Sequence, residues 1–260
     1  MKNIQLKNYI EKGYCVVRLF RKRDIEIIKT LIIKKLKLYD KKNLLEDLNQ
    51  NNLHDYHKFD LSDEYHKKLL QTSTRYIKLG TAQNNIIKKL SILNLTMLKS
   101  WGHNKSTLFW VGSLKNKNYK SNVIGFRISR PKKLKPKDAT GVHVDLHVGG
   151  KICSDKNVLI SIWIPIIGFS SKYTLKIAPK SHIYHHPIKK FKKSRTVTNI
   201  FSDSYTEKFK FIRPKLKIGE AIIFHPNLLH GNSYNLGNKT RFSLEARLYN
   251  KLNMSLWFRS

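Results

Sequence analysis

The sequence predicts a mainly β protein with a helical N-terminal part. The expected core is a double-stranded β-helix, an antiparallel double sheet of the jelly-roll or cupin-like type, flanked by α-helices. Three observations predict it. After about residue 107, short apolar runs follow one another, separated by Gly, Pro and Asn turns, the signature of a sandwich or barrel. Before that point the apolar residues recur mostly at helical spacing. With 260 residues, 40% hydrophobic and 11% aromatic, the chain can bury a sizeable core without disulfide staples.

Taken in order, residues 14–20, "YCVVRLF", read as a strand. Asp24 is placed to cap the helix that follows. In that helix Ile25, Ile28, Ile32 and Leu36 form one apolar stripe and lysines fill the other face. Residues 40–60 are polar and irregular, and helices are expected over about 62–72 and 76–92. The strand candidates are "TLFWVGSL", "NVIGFRIS", "GVHVDLHV", "NVLISIWIPII", "YTLKIAP", "KFKFIRP", "EAIIFH" and "RFSLEARLYN". No internal repeat is visible. The expectation is a single domain over 1–260, with a mostly helical support region at 1–106 and the jelly-roll core at 107–250.

The 51 basic and 17 acidic residues leave a net charge of +34. Such a surplus suits nucleic acid, anionic lipid or an acidic small substrate. It also suits compositional bias, since only 11 of the basic residues are Arg, the phosphate-binding fork. The run Lys189 to Lys193, with Arg195, reads either as a solvated loop or as a lid over an anionic ligand. Cys15 and Cys153 lie far apart in apolar runs; they read as buried free thiols, consistent with a reducing, cytoplasmic location. The start carries no apolar leader pattern, and no apolar run is long enough to span a bilayer.

The chemistry concentrates in "GVHVDLHVGG", residues 141–150. On a strand, residues i and i+2 share a face, so His143 and Asp145 can converge on one ion. Two His and one carboxylate with open positions left over is the non-haem Fe(II) arrangement. Alone, the HxD pair reads equally as a polar strand face. The stretch Gly219 to Arg247 changes that: a strand from Glu220 to Phe224, then His230-Gly231 in a loop, then a strand from Thr240-Arg241-Phe242. A hairpin of this kind brings His230 and Arg241 to one mouth. An Arg there can pair a carboxylate bidentately. His225 is a rival to His230, and Arg247 a rival to Arg241.

These residues resemble the phytanoyl-CoA dioxygenase family of Fe(II)/2-oxoglutarate oxygenases. The resemblance rests on HxD, a later His, and an Arg eleven residues past it. It is extended by Trp163-Ile164-Pro165, Pro179-Lys180-Ser181-His182, Gly219-Glu220, and the opening "NYIEKGYCVVRLFRKRDIEIIK". Residues 40–110 show little of it.

The resemblance implies that His143, Asp145 and His230 ligate iron and that Arg241 binds the distal carboxylate of 2-oxoglutarate. Asn232 stands where a hydroxyl residue is common and can still donate a hydrogen bond. Ser243 is another carboxylate partner. Trp163 either lines the co-substrate pocket or packs as a core residue. His147 and Arg127 are candidates for facing substrate; an ion-paired Arg127 is the plainer alternative. The implied cofactors are Fe(II), 2-oxoglutarate and O2. The implied reaction is hydroxylation of a small metabolite such as a sugar or nucleotide-sugar, and the basic charge agrees with an anionic one. Asp145 favours hydroxylation over halogenation, in which that carboxylate is usually replaced. A nucleic-acid-directed oxygenase and a non-catalytic jelly-roll binding protein are the alternatives.

Overall fold

The structure is a computed structural model. It describes residues 3–70, 76–79, 83, 85–86, 88–90, 107–109, 123–131, 138, 141–145, 158–187, 201–231 and 233–249. The chain begins with helix α1 (Asn3–Lys12) and strand β1 (Tyr14–Arg18). Gly13 separates them with φ +77. A Cβ there would meet the His182 ring at 2.4 Å, so only glycine fits both the turn and the contact.

Helix α2 (Lys22–Tyr39) follows. Its apolar stripe is as expected: Ile25, Ile28, Ile32 and Leu36 are all buried. Asp24 lies one turn inside rather than at the cap. Its carboxylate accepts from the Arg21 backbone N–H at 2.7 Å, which satisfies an otherwise unpaired donor at the helix start. Next come a 3-10 turn, Leu53–Lys58, and helix α3 (Asp63–Leu69). The helix expected over 76–92 is corrected at its start. Tyr76–Lys78 is strand β2, paired with a later strand, and helix is seen only at residues 85–86 and 88–90. Tertiary pairing outweighs local propensity in such a short segment.

The remaining strands are β3 (Thr107–Phe109), β4 (Val123–Ser129), β5 (Val158–Ile167), β6 (Glu220–Phe224) and β7 (Arg241–Tyr249). With β1 and β2 they form one seven-stranded antiparallel sheet, ordered β1-β6-β5-β7-β4-β2, with β3 also on β7. The N-terminal region thus contributes two strands as well as helices.

Alternation along these strands divides the sheet into two faces. Ile160, Ile162, Ile164 and Ile166 of β5, Ile124, Phe126 and Ile128 of β4, and Phe242, Leu244 and Ala246 of β7 join the stripe of α2 in one large core. The opposite face presents Ser161, Trp163, Arg127, Ser129, Arg241, Ser243 and Glu245 to a cavity.

Across that cavity the expected second sheet is reduced to isolated bridges among the described residues: His143 with His230, Ile177 with His230, and Ile177 with Ile212. "GVHVDLHV", "YTLKIAP" and "KFKFIRP" are therefore not regular strands where described. Their backbones are tied by these bridges and by scattered hydrogen bonds such as Ala178 N–H to Leu229 O at 2.9 Å.

Candidate active site

Three segments bring His143, Asp145 and His230 together. The His143 backbone N–H donates to His230 O at 2.8 Å, and His230 N–H returns a bond to His143 O at 3.0 Å. Asp145 N–H donates to Pro226 O at 2.7 Å. The His230 segment is held by the turn Pro179-Lys180-Ser181-His182. There Ser181 Oγ accepts from Leu229 N–H at 2.9 Å and donates to Ala178 O at 2.7 Å. Gly231, at φ +119, lets the Gly141 carbonyl pass where a Cβ would sit 2.4 Å from its oxygen.

All three side chains are buried, and their ligand atoms lie within 4.8 Å of one another. His143 Nε2 and His230 Nε2 are 3.9 and 3.7 Å from Asp145 Oδ1. Each ring uses its other nitrogen as a donor: His143 Nδ1 to Gly141 O at 2.8 Å, and His230 Nδ1 to Leu228 O at 2.9 Å. A carbonyl only accepts, so both Nδ1 atoms carry the proton and both Nε2 lone pairs face inward. Burial, with His230 beside it, pushes the His143 imidazole from 6.5 down to about 3, which keeps it neutral and able to ligate. Asp145 Oδ2 accepts from Ser161 Oγ at 2.6 Å. This donor set of two imidazole nitrogens and one carboxylate suits a divalent transition metal.

Arg241 lies in the same cavity, 4% exposed. Its Nη2 donates to Ser129 Oγ at 3.0 Å and Ser233 O at 2.8 Å, and its Nη1 donates to Tyr173 O. Its Nε–H is buried without a partner. Burial, with Arg213 nearby, lowers the guanidinium from 12.5 to about 9, so it stays charged at neutral pH. A buried cation with an orphaned donor favours an anionic ligand. The loop before it is fixed from the N-terminal region: Thr240 N–H donates to His54 O at 2.7 Å, and His57 N–H to Thr240 Oγ1 at 3.1 Å.

Trp163 has one face in the core and one in the cavity. It packs with Leu175, Ile177, Ile222, Phe224 and Leu228, and it lines the cavity with the Arg241 Cζ 5.8 Å from its ring centre. Ser243 is buried on the same wall. Arg127 also lines the cavity, ion-paired with Glu245. The whole cavity, open mouth included, is about 600 Å³.

His225 stands outside the cluster, 5.3 Å from the His182 ring, with its backbone N–H on Gly13 O. His186 is buried; its Nε2 donates to Ser181 O and its Nδ1 bonds Tyr205 OH, both at 2.8 Å. His147, Asn232, Cys153, Gly149-Gly150, Lys189 to Lys193, Arg195 and the Arg247 side chain lie outside the described residues.

Sequence reading missed Ser161, Ser129, Ser233 and Glu245. Strand period gives a signal for three of them: Ser161 is two before Trp163, Ser129 two past Arg127, and Glu245 four past Arg241. Ser233 lies in a loop and carries no such signal.

No protein-family model matches the chain, and no curated protein matches it. Solved structures do match in fold. EctD from S. alaskensis, determined with 2-oxoglutarate and 5-hydroxyectoine, is 12% identical; the match covers 97% of this chain and 77% of that one, with a TM-score of 0.58. EvdO2 from Micromonospora carbonacea var. aurantiaca is 11% identical over 96% and 91% of the two chains, with a TM-score of 0.57. The non-haem alpha-ketoglutarate-dependent carbocyclase SnoK from nogalamycin biosynthesis is 10% identical over 100% and 91%, with a TM-score of 0.51. At these identities the likeness is one of fold.

Proposed function

We propose that this protein is an Fe(II)- and 2-oxoglutarate-dependent dioxygenase that hydroxylates a small molecule, built as a single domain on a double-stranded β-helix. The observation that carries the reading is the buried His143–Asp145–His230 cluster sharing one cavity with the orphaned Arg241 donor. The fold it shares with EctD and SnoK, described as 2-oxoglutarate-bound and alpha-ketoglutarate-dependent respectively, supports it.

In this reading His143, Asp145 and His230 hold Fe(II), and Arg241 with Ser243 receives the distal carboxylate of 2-oxoglutarate. Asn232 contributes a further hydrogen bond there. When bound, iron, 2-oxoglutarate and O2 supply the oxidising power for C–H hydroxylation, with succinate and CO2 as co-products. The chain's own part is positional. The Nδ1 bonds to Gly141 and Leu228 fix the two rings, and the Ser161 bond fixes the carboxylate. Trp163, Leu175 and Phe224 line the cavity with apolar surface that keeps water away. Retention of Asp145 supports hydroxylation over halogenation. His147 is assigned to the substrate side.

The test is anaerobic titration with Fe(II) and 2-oxoglutarate, read by the visible charge-transfer band. We expect a band in the wild type, none in His143→Ala, and a weakened 2-oxoglutarate affinity in Arg241→Ala. The loss in Arg241→Ala should be about 2–5 kcal/mol, as for truncating one side of a buried charge pair. A wild type without the band would refute the assignment.

A further inference from the structure

Building on that proposed reading, the cavity holds one charged pair that neither the metal nor the co-substrate needs. Arg127 on β4 and Glu245 on β7 face each other through Nε and Oε1. Their side chains are 29% and 18% exposed, and both line the cavity. The pairing is diagonal: Arg127 stands opposite Ser243, and Glu245 stands opposite Gly125, which has no side chain to fill the space between. On its other side Glu245 is opposite Trp163.

Position along the sheet separates this pair from Arg241. Arg241, Ser243 and Glu245 follow one another on one face of β7, so Glu245 lies about 13 Å along the strand from Arg241. Ser161, which bonds Asp145, is opposite Arg247. The Arg127–Glu245 pair is therefore at the metal end of the wall, where a target C–H must be held.

A half-buried ion pair contributes little net stability, because desolvation offsets its attraction. Charged side chains that line a cleft are candidates for a functional role instead. The charge balance adds a constraint. Among the described lining residues, Arg127 and Arg241 face Asp145 and Glu245. Asp138 is neutralised by Arg130, whose Nε and Nη2 bond it at 3.0 and 2.9 Å. Fe(II) and 2-oxoglutarate carry opposite charges of equal size, so the loaded cavity is balanced. A substrate with net charge would find no unpaired counter-charge among the described lining residues.

We propose that Arg127 and Glu245 are the substrate-recognition pair and that the cavity selects a small, net-neutral polar molecule. Its oxygen faces Arg127, and its N–H or O–H faces Glu245. An amino-acid-type zwitterion and a neutral sugar share this chemistry. The surplus of +34 is not expressed among the described lining residues, so the anionic metabolite expected from composition gives way to a neutral one.

The experiment is calorimetric titration of the protein, with and without Fe(II) and 2-oxoglutarate under anaerobic conditions. The probes are the free L-amino acids, their N-acetyl methyl esters, neutral hexoses, and UDP-glucose. We expect at least one amino acid or hexose to bind at least about tenfold tighter than UDP-glucose, because a site built around hydrogen-bonding groups rejects ligands that leave them unpaired. Loss of binding by the blocked amino acids identifies the zwitterion; binding by hexoses alone identifies the sugar. Glu245→Gln and Arg127→Gln should each weaken that ligand by about tenfold or more, a larger loss than they cause for 2-oxoglutarate. UDP-glucose as the tightest ligand, binding unmoved by either substitution, or no binding by any probe would overturn the proposal. Failure of the iron reading shows separately, as absence of the charge-transfer band.

Discussion

Ser161 reaches Asp145 from the central strand β5, and its hydroxyl donates to Asp145 Oδ2 at 2.6 Å. It is buried at 1% exposure, so its removal takes a short, water-shielded hydrogen bond from the carboxylate that faces the two imidazoles. Ser161→Ala is expected to lower metal affinity by about 10–100-fold, as for other residues that orient metal ligands; a competitive metal titration measures it. An affinity equal to wild type would mean that the backbone alone sets the carboxylate. Other side chains were legible at this scale. HxD, with the His-to-Arg spacing of the family resemblance, named the three converging side chains and the buried Arg from sequence. The bonds that hold them were not legible, because Gly141, Leu228 and Ser129 act through backbone carbonyls or a hydroxyl from segments remote in the chain.

At the scale of elements, the sheet has two faces and each is served by a different partner. Helix α2 covers the apolar face with a stripe that includes the fully buried Leu36. Leu36→Ala leaves a cavity where repacking is limited and should cost about 2–5 kcal/mol, measured by urea unfolding, with metal affinity of the folded fraction retained. On the other face, the bridge between His143 and His230 depends on close backbone approach at Gly231. Gly231→Ala drives a Cβ against the Gly141 carbonyl and the His143 ring, so this variant should stay folded but lose metal affinity. The contrast between the two variants separates support of the sheet from assembly of the site.

At the scale of the whole molecule, α1 and β1 are docked onto the segments that carry the site. His182 Nε2 donates to Ile10 O at 3.1 Å, Lys180 N–H to Lys12 O at 2.9 Å, and His225 N–H to Gly13 O at 2.8 Å. His225 is held from 6.5 down to about 4, by burial first and His182 second. The unfolded chain therefore binds a proton at this residue below 6.5 that the folded chain refuses until about 4. Its contribution is complete above 6.5 and is lost as pH falls towards 4. Between pH 6.5 and 5 this amounts to about 2 kcal/mol at most, at 1.36 kcal/mol per unit. Urea unfolding at pH 7 and pH 5 should show the acid loss in wild type and a smaller one in His225→Gln. Cys15 adds nothing to this range, since burial lifts its thiol to about 12. No described helix is long and apolar enough to cross a membrane.

The sequence by itself determined the two-faced strands, the α2 stripe, and the identity of the His, Asp and Arg residues that meet in the cavity. The strands and the stripe follow from period, which is local; His230 and Arg241 were singled out by the family resemblance. It did not determine that Tyr76–Lys78 pairs as a strand, or that the second sheet is reduced to bridges at His143, Ile177, Ile212 and His230. Nor did it pair Arg127 with Glu245. Only the tertiary structure decided these, because each depends on which remote backbone or charge stands opposite, and no local pattern encodes that.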